Sequence, residues 1–234
     1  MTSREINHAP GTPAWPLILV LGLAAMMSGM LVVAVHQFTS PIIAENQRRA
    51  VARAIGRVVP GAVGNRAFIV ENGKLIPAGE KARGEVIYAA YGKDGKLLGI
   101  AARAGAQGYA DMIHMLFGYD PESGRILGFE VLKMTETPGL GDKIASDDGF
   151  RANFPLDARL DGTGKKLAHP IVTVKHGKKS KPWEIDAISG ATISSRAVGK
   201  ALNEAAGRLL PVIHANLDML RAAAPGRGAT GEEK

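Results

Sequence analysis

Hydrophobic positions along the chain follow three regimes. Residues 16–35 form one uncharged, strongly apolar run of twenty, the length that crosses a bilayer as a helix. Trp15 stands at one edge of the run and His36-Gln37 at the other, which suits the two membrane interfaces. From residue 40 to about 59 a second helix is predicted, with Ile43, Val51, Ile55 and Val58 on one side. Ser40-Pro41 opens it and Pro60-Gly61 ends it. Alternation then takes over. Residues 86–91 and 97–102 flank Lys93-Asp94-Gly95-Lys96, and residues 113–119 and 126–134 flank Asp120-Pro121-Glu122-Ser123-Gly124. Each set predicts a β-hairpin. Residues 145–154 predict a short helix, and residues 171–175 and 183–188 complete a sheet. Val198, Ala201, Leu202, Ala205 and Leu209 restore the helical period in a last helix from about residue 194 to 221.

Antiparallel strands with segregated helices make an α+β domain, here behind an N-terminal transmembrane helix. The expected organisation is a short polar N-terminus over residues 1–15, a membrane helix over 16–35, one domain over 36–221 and a disordered glycine-rich tail over 222–234. Gly22, Ser28 and Gly29 are small enough to let a neighbouring membrane helix approach closely. A cleavable signal peptide is the competing reading, with Val32-x-Ala34 as a poor cleavage site. The apolar run exceeds the usual signal core, which favours a retained anchor. Arg48, Arg49 and Arg53 follow the span while only Arg4 precedes it, so a positive-inside count keeps the domain in the cytoplasm.

Composition narrows the chemistry. The 234 residues include no cysteine, which excludes disulfides, thiolate-ligated iron–sulfur clusters, cysteine nucleophiles and covalent c-type haem. An electron carrier of this composition must use an organic or haem cofactor. The six histidines show no metal-ligand spacing and no metal is assigned; His114, in a strand-like run, reads as a packed or edge residue. The net charge of +7 is dispersed, apart from Lys175, Lys178, Lys179 and Lys181, and no nucleic-acid motif accompanies it. That cluster reads as a solvated loop, with contact to an acidic partner or a cofactor phosphate as the alternative.

Two motifs carry the candidate chemistry. Ser189-Gly190-Ala191-Thr192-Ile193-Ser194-Ser195 lies between the strand at 183–188 and the last helix, so Thr192 sits at a strand-to-helix turn. Gly190 and Ala191 leave the backbone bare, and unpaired N–H groups at a helix start favour a phosphate. By spacing alone, Ser189 or Thr192 as a helix cap is the plainer reading. Some fifty residues earlier stands Glu136-Thr137-Pro138-Gly139-Leu140-Gly141-Asp142-Lys143-Ile144. Pro138 biases Thr137 toward extended backbone, and Gly139 and Gly141 permit close approach to a flat ring. Leu140 offers cover for a ring face, and Glu136 and Thr137 offer hydrogen bonds to its edge. Taken alone, the segment is an ordinary Pro-Gly turn. Gly108-Tyr109 is a weaker candidate for ring contact. No Gly-x-Gly-x-x-Gly follows a strand, so no site for a hydride donor is read.

Ser-Gly-Ala-Thr-x-Ser resembles the flavinylation motif of the FMN-binding domain family, in which a transferase esterifies FMN phosphate to the threonine hydroxyl. With the second motif in order before it, the chain resembles the G subunits of the Rnf electron-transport complex, from the membrane segment to about Leu210. The C subunits of sodium-translocating NADH:quinone reductase share Glu-Thr-Pro-Gly-Leu-Gly but usually lack Asp-Lys-Ile after it. The resemblance implies a membrane flavoprotein subunit that carries electrons and is not catalytic alone, in a complex working between ferredoxin and NAD and coupled to ion transport. It implies covalent phosphothreonyl-FMN at Thr192, hence a phosphoprotein. Around the flavin it places Ser189, Gly190, Ala191, Ser194, Ser195, Glu136, Thr137, Gly139, Leu140 and Tyr109. Implied partners are the other membrane and cytoplasmic subunits, a flavin transferase and the lipid bilayer, with no nucleic acid. The implied location is a bacterial inner membrane, single-pass, with a cytoplasmic N-terminus and a periplasmic domain, against the arginine count. The alternatives are a C-type subunit of the quinone reductase, an FMN domain of a membrane regulator, or a non-redox structural subunit whose Thr192 is only a cap.

Overall fold

The computed structural model describes residues 14–71, 73–78 and 84–224. The expectations for the polar N-terminus before residue 14 and for the tail after residue 224 lie outside the described residues. The chain divides into two compact units, Met1–Arg49 and Ala50–Lys234.

Helix α1 runs from Ala14 to Val58 without interruption, through the Ser40-Pro41 pair that the sequence reads as a helix start. Proline removes one donor from the helical ladder. Around that gap the hydroxyls of Thr39 and Ser40 donate to the carbonyls of Val35 (2.8 Å) and His36 (2.6 Å). These are the back-bonds by which Ser and Thr sit inside a helix while facing its own carbonyls. No residue in the apolar part of α1 is buried, as a lipid-facing helix requires, and Ile43 is exposed with it. Val51, Ala54, Ile55 and Val58, on the last turns, are buried in the second unit.

That unit is built on a seven-stranded antiparallel sheet of order β2-β1-β3-β4-β5-β6-β7. The strands are β1 (Gly64–Glu71), β2 (Lys74–Pro77), β3 (Glu85–Tyr91), β4 (Leu97–Gln107), β5 (Met112–Asp120), β6 (Arg125–Lys133) and β7 (Leu156–Asp157). Both predicted hairpins form, as β3-β4 and β5-β6. The pair β1-β2 has no counterpart in the sequence reading. The strands at 171–175 and 183–188 do not complete the main sheet; β8 (Val172–Val174) and β9 (Glu184–Asp186) instead form a separate parallel pair. The short helix at 145–154 resolves into a 3-10 turn (Gly141–Ala145) and α2 (Asp148–Arg151), capped by the Asp147 side chain on Phe150 N. The last helix breaks at Asn216 into α3 (Thr192–Ala215) and α4 (Leu217–Ala222).

Strand alternation sorts the core into two layers. On β5, Ile113, Met115, Phe117 and Tyr119 face the α3 side, where Val198, Ala201, Leu202, Ala205 and Leu209 are all buried. Leu116 faces the other side with Ala90 and Ala101, against the end of α1. Glycine is needed there: a Cβ on Gly118 would collide with the Val58 carbonyl. Tyr91 closes the far end by donating its hydroxyl to Leu220 O at 2.7 Å, which pins α4.

Candidate functional site

Strand β9 reaches α3 through a tight turn. Ala191 N donates to Ile188 O at 3.1 Å, and Gly190 takes φ +83°, the left-handed conformation that the third position of such a turn demands. Ser195 locks the turn to the helix, donating to Ala191 O (2.9 Å) and accepting from Ile188 N (3.1 Å), and is fully buried. Ala191 is the N-cap, and no side chain caps the helix. The plain cap reading of Ser189 and Thr192 therefore fails. Thr192 is the first helical residue, half-buried, and its hydroxyl has no hydrogen bond among the described residues.

The second motif lies against this helix start. Leu140 N donates to Thr137 O at 3.1 Å across a turn with Pro138 second and Gly139 third, at φ +78°. A Cβ on Gly139 would meet nothing within 4 Å, whereas one on Gly141 would lie 2.5 Å from Glu136 Oε2 and 2.6 Å from Ser194 Oγ. Gly139 thus serves the turn, and Gly141 is the glycine of close approach. Glu136 is buried and its carboxylate is taken up internally. Oε1 accepts from Tyr109 N (2.9 Å) and Ala110 N (3.2 Å), and Oε2 accepts from the Ser194 hydroxyl.

Together these segments enclose a cleft of about 430 Å³ lined by Tyr109, Glu136, Thr137, Leu140, Gly141, Gly190, Ala191, Thr192, Ile193 and Ser194. Eight of the eleven expected residues line it. Ser189, Gly139 and Ser195 do not; the last two serve the turns. Gly141 and Ile193 are additions. Both sit inside the recognised motifs, and only the fold shows which way each faces. Tyr109, Leu140 and Ile193 are held 68%, 50% and 52% exposed round the mouth. Large apolar side chains so displayed beside a concave site are what a flat hydrophobic ligand would cover.

The lysine cluster does not line this cleft. Lys179 donates to Asn153 O (3.0 Å) and Oδ1 (3.1 Å), and burial lowers its pKa against the pull of Asp186 and Glu184. His114 is an exposed residue of β5, and no group of three metal-binding side chains occurs among the described residues. A second cleft, of about 490 Å³, holds Tyr119 and His214, bonded at 2.7 Å between the hydroxyl and Nε2. Burial raises the tyrosine pKa and lowers that of the histidine. Arg159 at its rim is committed to Asp157 through three contacts of 2.7 to 3.2 Å.

The residues of the first cleft fit FMN. The apolar rim suits its ring system, and the uncapped start of α3 beside a free hydroxyl suits its phosphate. The family model of the FMN-binding domain matches residues 108–207, which span the whole cleft, so the fold and site define an FMN-binding domain. The model of the RnfG N-terminal region matches residues 19–58, across α1.

Relatives extend the likeness along the chain. The G subunit of the proton-translocating ferredoxin:NAD(+) oxidoreductase complex of Clostridium ljungdahlii is 30% identical over 79% of this chain and 85% of that protein. The G subunit of the ion-translocating oxidoreductase complex of Escherichia coli is 31% identical over 87% and 94%. The Na(+)-translocating counterpart of Acetobacterium woodii is 29% identical over 81% and 90%. The chain belongs to the family of G subunits of ion-translocating oxidoreductase complexes. In fold it also resembles the crystal structure of Shewanella oneidensis NqrC, with a TM-score of 0.58 at 20% identity over 76% of this chain and 100% of that one. The C subunit of the Na(+)-translocating NADH-quinone reductase of Parabacteroides distasonis gives 0.51 at 22% identity, over 64% and 78%.

Proposed function

We propose that this chain is the membrane-anchored flavoprotein subunit of an ion-translocating ferredoxin:NAD oxidoreductase complex, carrying electrons through FMN esterified to Thr192. What carries the attachment is the Thr192 hydroxyl, which has no partner among the described residues and stands on the first residue of an uncapped helix inside an apolar cleft. When bound, FMN supplies the one- and two-electron redox chemistry. The N–H groups of the first turn of α3 receive the phosphate with the favourable end of the helix dipole. Leu140, Tyr109 and Ile193 exclude water from the ring. Attachment keeps the cofactor at high local concentration on the side of the membrane where free FMN would be lost by dilution.

In this reading residues 16–35 span the bacterial inner membrane once, the short N-terminus stays in the cytoplasm and the domain from residue 36 lies in the periplasm. The remaining subunits of the complex and a flavin transferase are its partners. Its relatives are named for different coupling ions, proton in one and sodium in another.

Intact-mass and peptide analysis of protein from the native host tests the proposal. The Thr192 peptide is expected to carry the mass of FMN less one water. Thr192→Val replaces the hydroxyl by a methyl of similar size, so the domain folds and the flavin is lost. Covalent flavin retained in Thr192→Val refutes the assignment.

A further inference from the structure

The carboxylate of Glu136 joins three segments that are distant in sequence. Its oxygens hold two backbone N–H groups from the β4-β5 loop, 27 and 26 residues upstream, and the hydroxyl of Ser194, 58 residues downstream. At 7% exposure the residue keeps these bonds away from bulk water, where each is worth more and each loss costs more. Two glycines make the room. A Cβ on Gly108 would run into Oε1, and one on Gly141 would stand 2.5 Å from Oε2. A backbone shaped on both sides of one carboxylate has been fitted to that group and not to a generic loop.

The carboxyl oxygens act only as acceptors. Two of the three donors are backbone N–H groups, which only donate, and the hydroxyl donates the third bond. No ion pair engages Glu136 among the described residues. Its carboxyl group therefore lines the cleft with no cation paired to it among the described residues.

We infer that Glu136 is a positioning residue with a second effect on the cofactor: it ties the Tyr109 loop to the first turn of α3, both of which line the cleft, and its charge holds the midpoint potential of the bound flavin low. The inference rests on the reading that FMN occupies this cleft. The electrostatic half follows from Coulomb repulsion, which opposes adding electrons beside a fixed negative charge and is strongest where water is excluded. The mechanical half follows from the bonds themselves, since one side chain receives donors from both segments.

Glu136→Gln separates the two. The amide keeps the size, its oxygen accepts from Tyr109 N and Ala110 N, and its nitrogen donates to Ser194 Oγ; only the charge goes. Three measurements are made on the full-length, flavinylated protein: the mass of the Thr192 peptide, thermal melting, and the midpoint potential by spectroelectrochemical titration. Glu136→Gln is expected to keep the flavin and the melting temperature and to shift the potential upward. Glu136→Ala removes the ties as well, so its flavin fluorescence is expected to rise and to become more readily quenched by iodide. Should Glu136→Ala not fold, Ser194→Ala breaks one tie and keeps the charge, and is expected to raise fluorescence and quenching without raising the potential. An unchanged potential in folded Glu136→Gln overturns the charge effect. Unchanged quenching in Glu136→Ala or Ser194→Ala overturns the pinning. A wild-type Thr192 peptide without flavin overturns the functional reading, and this inference with it, and the peptide mass tells that failure apart from the others.

Discussion

Gly141 stands so close to Glu136 that a single methyl group would not fit between them: a Cβ on the glycine would lie 2.5 Å from Oε2 and 3.0 Å from the Cβ of Glu136. The carboxylate cannot swing aside cheaply, because three donors hold it. Gly141→Ala is therefore expected to break the bond to Ser194 and leave a buried polar group short of a partner. Such a loss costs about 1–3 kcal/mol. Denaturant unfolding of the variant checks this, and an unfolding free energy equal to wild type would show that the loop relaxes freely.

Much of this arrangement was legible in the sequence, for local reasons. The membrane run, the two central hairpins and the buried stripe of α3 each repeat a period that a short window of residues contains. Non-local relations left no such trace. Ser194 and Ser195 are neighbours, yet one bonds Glu136 at the cleft and the other turns inward to Ala191 and Ile188, because one residue rotates a helix position by about 100°. Gly139 and Gly141 look alike in sequence and serve different needs, a left-handed turn and a close approach. Ser40-Pro41 reads as a helix start and lies inside α1, since proline costs a helix one bond without forbidding it. The parallel pairing of β8 and β9 joins two short strands across the loop at 175–183, a relation that no local period of the sequence encodes.

Acid stability depends on Asp157. The side-chain hydrogen bonds from Arg159 hold its carboxyl below the usual range against the opposing effect of burial, with the Arg159 backbone N–H and the nearby positive charges adding to the lowering. A depressed folded pKa contributes stability that is present above the unfolded value, about 4, and lost as the pH falls through the folded value. The difference in unfolding free energy between wild type and Arg159→Ala is thus expected to be larger at neutral pH and to shrink below about pH 4. A difference that stays constant through that range would mean the pair contributes only packing.

Topology separates the family resemblance from the arginine count. Arg48, Arg49 and Arg53 follow the apolar run, but a long folded domain after a span weakens any rule based on short loops. A protease or a membrane-impermeant label added to spheroplasts is expected to reach the domain without detergent. Protection until the membrane is broken would place the domain in the cytoplasm. An intact mass that retains the N-terminal residues would identify α1 as an uncleaved anchor.

Leu140 gives the sharpest test of the ring site. At 50% exposure it makes little of the core, so Leu140→Ala is expected to cost far less than the roughly 2–5 kcal/mol of a buried leucine. Its side chain instead lies over the cleft with Gly190 beneath, a Cβ on that glycine coming 3.9 Å from its Cδ2. The variant should therefore melt near wild type and keep flavin on Thr192, while the visible spectrum or the midpoint potential shifts as water gains access to the ring. Gly139→Val gives the contrasting result. Open space surrounds its Cβ, so its effect comes from forcing a branched residue to φ +78°, and it lowers stability first and alters the flavin only through the distorted turn. A folded Leu140→Ala protein with unchanged spectrum, potential and electron-transfer rate would place this loop away from the flavin, leaving Thr192 alone to support the site.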